Sequence, residues 1–140
     1  MPRCRITVIR KMYFPELVEV YGSATASECV HGDENIGPCE YFQEGDSIIL
    51  DNIDEFTFMR KMPNGFCTYA WQAIGNFALQ ALREGRFWKS WMKDERQMVV
   101  CCLDAMRPVV FLMEIFGDDE EIPPVEIPDF EAIKAAKRIC

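Results

Sequence analysis

Apolar residues alternate or run in short strand-like stretches at five places along the chain. Between two of these stretches they recur at three- and four-residue steps. Cys4 to Met12 (Cys-Arg-Ile-Thr-Val-Ile-Arg-Lys-Met) is β-branched and partly alternating, which predicts a first strand. Phe14 to Tyr21 follows, with Pro15 at a first-turn position and Leu17, Val18 and Tyr21 spaced for one helical face, so a short helix ending at Gly22 is expected. Ser47-Ile48-Ile49-Leu50 reads as a strand opened by Gly45-Asp46, and Glu55 to Met59 as a short strand before the Pro63-Asn64-Gly65 turn. Ala70, Ile74, Phe77, Ala78, Ala81 and Leu82 mark the clearest helix, from Cys67 to Glu84. Gly85 stands where a helix C-cap favours glycine, and Gly75 marks either a weak point or a close approach by another element. Met98-Val99-Val100 and Val109 to Met113 flank a short Asp/Arg turn and predict a closing hairpin from about Gln97 to Phe116.

Ser23 to Gly37 is small and polar and reads as a long loop. Beyond Gly117 the pattern changes. An acidic run, Asp118-Asp119-Glu120-Glu121, leads into Ile122-Pro123-Pro124-Val125-Glu126-Ile127-Pro128, which favours extended backbone. Phe130, Ile133, Ala136 and Ile139 then fall on one side of a final short helix. The chain divides accordingly into an α+β domain over residues 1–116 and an acidic, Pro-rich arm over 117–140. The expected core is a small, mainly antiparallel sheet packed on the Cys67–Glu84 helix. A short amphipathic helix after such an arm suits docking on its own domain or on a protein partner.

Composition narrows the class. At 140 residues, with 49% hydrophobic and 27% charged residues, the chain supports a single buried core. No stretch approaches the apolar length of a membrane-spanning helix, and no secretory signal is visible at the N-terminus, so a cytoplasmic, membrane-free protein is expected. The net charge of −8 argues against nucleic acid as the main partner, since phosphate binding needs a concentrated basic patch. Half of that charge belongs to the arm, where seven acidic residues face three basic ones.

Seven cysteines are an odd number, which does not suit a secreted disulfide framework and points to free thiols, metal ligands or redox thiols. The single histidine, His31, excludes a His-rich metal centre. Cys39, Cys67, Cys101 and Cys102 all follow or border turn-forming residues and are the candidate metal ligands, for zinc or an iron–sulfur cluster. Successive residues of a strand point to opposite faces, so Cys101 and Cys102 are expected to do different jobs. A three-thiol cluster of Cys39, Cys67 and one of the pair is the easier geometry. Cys67, at a helix N-terminus where free N–H groups favour thiolate, is the thiol to test first for reactivity. A redox protein or enzyme using Cys67 as nucleophile employs the same atoms, with Cys39 or Cys101 resolving. The bland alternative is that these cysteines fill the core as small hydrophobes. Asp104 and Arg107 address a polar ligand or build a turn. Trp71 lines a pocket beside Cys67 or belongs to the core.

Three ordered motifs carry a resemblance. Gly37-Pro38-Cys39 with Phe42, Glu44 and Gly45, then Pro63-Asn64-Gly65-Phe66-Cys67 with Ala70-Trp71, then Cys101-Cys102-Leu103-Asp104 with Arg107-Pro108-Val109-Val110-Phe111, resemble the pattern of a family of small uncharacterised prokaryotic proteins. Its signature is G-P-C, G-F-C-x-x-A-W and C-C-x-D-x-x-R-P-V-x-F. The resemblance spans roughly Cys4 to Phe116, implies a small α+β domain without an assigned activity, and picks out Cys39, Cys67, Cys101, Cys102, Asp104 and Arg107. The chain departs from it in extra residues at Ser23–Asn35 and Ile53–Lys61 and in the tail after Phe116.

Overall fold

The computed structural model describes residues 2–22, 37–51 and 66–137. Strand β1 (Arg3–Lys11) leads to helix α1 (Pro15–Tyr21), strand β2 (Ser47–Leu50), the long helix α2 (Thr68–Glu84), the hairpin of β3 (Gln97–Cys101) and β4 (Val109–Phe116), and helix α3 (Phe130–Lys137). The strands form one antiparallel sheet in the order β2-β1-β4-β3. This is the α+β architecture expected, with α2 packed on one sheet face. The strand expected at Glu55–Met59, the 23–36 loop and residues 138–140 lie outside the described residues, and so do nearly all of the two extra segments.

Alternation explains the first layer. Cys4, Ile6 and Val8 of β1 and Phe111, Met113 and Ile115 of β4 project toward α2, where Ala70, Ile74, Ala78, Ala81 and Leu82 meet them in one buried core. Small residues on α2 let the helix approach the sheet closely. Gly85 closes α2 in the left-handed region, φ 67°, with its N–H on the Ala81 carbonyl. Gly75 is buried, and a Cβ there would meet the Trp71 ring at 3.1 Å, so the glycine marks the close approach of an indole.

The second sheet face is covered by the arm. Arg5 and Thr7, opposite in direction to Ile6, are only 6% and 2% exposed. Arg3 donates to the carbonyls of Gly117 (2.6 Å from Nη2) and Glu120, and Arg5 donates to the Pro123 carbonyl. Arg96 bonds the Glu120 carboxylate, which lowers the pKa of Glu120. Register shifts between Val8 and Arg10 of β1, a bulge at Ile9 that puts Arg10 on the same face as Arg3 and Arg5. There Arg10 pairs with Glu131 at 2.5 Å and lies over the Phe130 ring, 5.6 Å from its centroid. Residues 117–131 therefore form a strap held along β1 by three arginines. Helix α3 buries none of its residues, so its apolar side is not part of either layer.

Candidate thiol site

Three of the sequence-selected cysteines are half-buried against the core. Phe66, buried, stacks on Phe111 (centroids 6.2 Å apart, 28° between planes) and presents its edge to Phe42 at 5.5 Å and Trp71 at 6.3 Å. Phe42 and Phe111 meet edge to face at 5.3 Å. Cys39, Cys67, Cys102 and Trp71 are all half-buried against the core that holds this aromatic group.

Each thiol arrives there by a different local device. Gly37, at φ 58°, turns the chain before Pro38 and Cys39, and the Cys39 carbonyl accepts from Lys11 Nζ at 3.1 Å. Cys67 is the N-cap of α2, in extended conformation, and its carbonyl accepts from the Trp71 N–H at 2.9 Å. Its side chain makes no capping bond, and the first turn of α2 holds no acidic residue. The sulfur thus stands at the amide-rich end of the longest helix with no carboxylate from that turn beside it. Cys102 extends the hairpin by one hydrogen-bonded pair: its N–H donates to the Val109 carbonyl, and the Val109 N–H donates to Cys102 Sγ at 3.3 Å.

Cys101 is separated from these three. Met98, Val100 and Cys102 face the core, while Val99 and Cys101 face the other way and are exposed. The two adjacent thiols do occupy opposite faces, but Cys101 is not packed behind Cys102. It meets solvent. Among the described residues, no group of three or more His, Cys, Asp or Glu comes together in a way that could hold a metal ion. The described thiols and carboxylates do not supply the donor set that a closed zinc site or an iron–sulfur cluster requires.

Asp104 and Arg107 have a turn-building geometry. Asp104 Oδ1 accepts from the N–H groups of Met106 (3.0 Å) and Arg107 (3.3 Å), an Asx-type arrangement, and Arg107 Nε is 3.7 Å from Asp104 Oδ2. Trp71 edges Phe66 and covers Gly75, which places it in the packing around Cys67. Cys4 is fully buried, and burial pushes its thiol up to about 12, so it is inert at neutral pH. Cys29, His31 and Cys140 lie outside the described residues.

Sequence reasoning missed Lys11 and Arg5. Lys11 ties the Cys39 loop to β1, and Arg5 is the buried cation on which the arm docks. Both sit in a strand whose β-branched character hid their partners. No helix among the described residues is long and apolar enough to cross a membrane. No family model, curated protein or solved structure matches the chain.

Proposed function

We propose that the chain is a small thiol protein in which Cys67 is the reactive group and Cys39 or Cys102 the resolving thiol. The observation that carries this reading is the placement of Cys67: half-buried, at the N-terminus of α2, with neither a capping bond nor a first-turn carboxylate competing for it. Two more half-buried thiols on the same core supply a second sulfur within the chain.

The chemistry is a thiol–disulfide exchange with a disulfide co-substrate. The Cys67 thiolate attacks one sulfur of that disulfide, forming a mixed disulfide and expelling one thiolate. The resolving thiolate then attacks Cys67 Sγ and expels the second. Two electrons pass from two protein thiols to the co-substrate, which leaves as two thiols, and the protein is left with one intramolecular disulfide. A reducing compartment such as the cytoplasm suits a chain with this many free thiols.

Alkylation with iodoacetamide between pH 6 and pH 9, with peptide mapping, tests the proposal. Cys67 is expected to be modified first, faster than in the unfolded chain, and equimolar oxidised glutathione to yield a Cys67–Cys39 or Cys67–Cys102 disulfide. A Cys67 that reacts no faster than in the unfolded chain overturns it. Stoichiometric zinc or iron in protein purified without oxygen returns the same thiols to the metal or iron–sulfur reading, in which the Val109 N–H bond to Cys102 Sγ is of the kind that stabilises a bound thiolate.

A further inference from the structure

The loop between α2 and β3 has a fixed base and a tip held off the core. At the base the Phe87 N–H donates to the Glu95 carbonyl at 2.8 Å, and the Gln97 N–H to the Asp94 carbonyl at 3.1 Å. Phe87 is buried and Met92 is half-buried against the core, so two apolar side chains pin the loop down. Ser90 turns the chain between them in the left-handed region, φ 64°, which non-glycine residues adopt only seldom. Apart from Met92, every residue from Trp88 to Asp94 is exposed.

Trp88 and Trp91 are 54% and 71% exposed at this tip, and Trp88 meets Phe77 with 5.4 Å between ring centroids. Indoles are large apolar bodies with one N–H donor, suited to a boundary that is apolar on one side and wet on the other. Cations lie around them. Arg83, Arg86, Lys89 and Lys93 are all exposed, and Glu84 is the single carboxylate among residues 83–93. That stretch carries +3, which leaves −11 for the rest of a chain of net charge −8. Asp94, next in sequence, turns its carboxylate to the Arg96 N–H at 2.8 Å.

We infer that the tip of this loop is a peripheral contact with an anionic phospholipid surface. Trp88 and Trp91 enter at headgroup depth, while Lys89 and Lys93 lay their stems along them and meet lipid phosphates. Carboxylates farther off are screened beyond roughly 8 Å at physiological ionic strength, so a surface touched by the tip alone feels mainly the tip. A single-stranded nucleic acid fits less well. It runs on past the tip over the flanks, which hold Asp94, Glu95 and, bonded to Arg96, Glu120. Hydropathy registers spanning segments and not a contact of this size, so the expectation of a membrane-free chain is revised here.

The test is pelleting of the full-length protein with sucrose-loaded vesicles, of phosphatidylcholine alone or with about 30 mol % phosphatidylserine. Wild type is expected to partition onto the anionic vesicles about tenfold more strongly than onto the neutral ones. Trp91→Ala and the double replacement Lys89→Glu/Lys93→Glu are each expected to lose at least about fivefold of that partition, with unchanged far-UV circular dichroism. Should Trp91→Ala fail to fold, the lysine pair alone decides. A wild type that stays in the supernatant overturns the inference, and so do folded variants that pellet as wild type does. Retention by single-stranded oligo(dT) without binding to vesicles also overturns it, and gives the loop to nucleic acid.

Discussion

Arg5 and Glu114 are cross-strand partners in β1 and β4, and Arg5 Nε and Nη2 both donate to Glu114 Oε1, at 3.0 and 2.9 Å. The Arg5 and Glu114 side chains are 7% and 17% exposed, and the guanidinium sits 5.3 Å from the centroid of the Phe116 ring. The remaining nitrogen of Arg5 serves the Pro123 carbonyl, so one cation joins sheet and strap.

Removing one partner of this pair leaves an uncompensated buried charge. Glu114→Ala is expected to lower stability by about 3 kcal/mol, while the double replacement Arg5→Met/Glu114→Leu recovers most of that loss. Urea denaturation of the three proteins measures it. A Glu114→Ala protein as stable as wild type contradicts the assignment of Arg5 as the joint between sheet and strap.

Cys4 couples stability to alkaline pH. Its thiol is pushed up from 9.0 to about 12, chiefly by burial, so the folded state holds the proton more tightly than the unfolded one. Below pH 9 both states are protonated and the group contributes no pH dependence. As pH rises from 9 toward 12 the unfolded chain ionises first, and stability falls by about 1.4 kcal/mol per pH unit from this group. Cys4→Ala is expected to flatten the wild-type decline between those values. Parallel curves of unfolding free energy against pH for the two proteins are the result that counts against it.

The Asp104 carboxylate organises the turn between β3 and β4. Asp104→Ala removes the acceptor for the Met106 and Arg107 amides and is expected to cost about 1 kcal/mol, whereas Asp104→Asn retains an acceptor and costs less. Neither replacement should alter the alkylation rate of Cys67. A change in that rate without loss of stability would instead give Asp104 a part in the thiol chemistry.

Arg10 anchors the far end of the strap through an exposed ion pair and a ring contact, interactions worth little in global stability. Arg10→Ala is therefore expected to shift the unfolding free energy by less than about 1 kcal/mol. Tryptic cleavage at Lys134 and Lys137 in α3 should nonetheless speed up several-fold. Equal cleavage rates in the two proteins would mean that Arg10 does not hold the strap.

Much of the fold was legible because its cues are local. Pro15 and Gly22 bound α1, Gly85 ends α2, and the alternation of Met98 to Val100 and of Val109 to Phe116 fixes the hairpin. The opposed facing of Cys101 and Cys102 followed from strand periodicity alone. The Ile9 bulge was not legible, since no residue type announces it, and without it Arg10 would face away from the strap. Docking of the arm on its own domain was one of the readings open from the sequence; the residues that hold it were not legible, because only the three-dimensional line of Arg3, Arg5 and Arg10 makes an acidic, Pro-rich segment a second layer. At the thiol site, the motifs singled out Cys39, Cys67, Cys101 and Cys102 alike; Cys39, Cys67 and Cys102 are half-buried against the core, and the exposure of Cys101 depended on its place in an outer strand.

The strap also makes the two ends of the described fold depend on each other. Arg3 and Arg5 bond carbonyls that lie 114 to 118 positions later in the sequence, at Gly117, Glu120 and Pro123. The arm can therefore be ordered only where β1 is already in place, and whatever frees β1 from the sheet releases the arm with it.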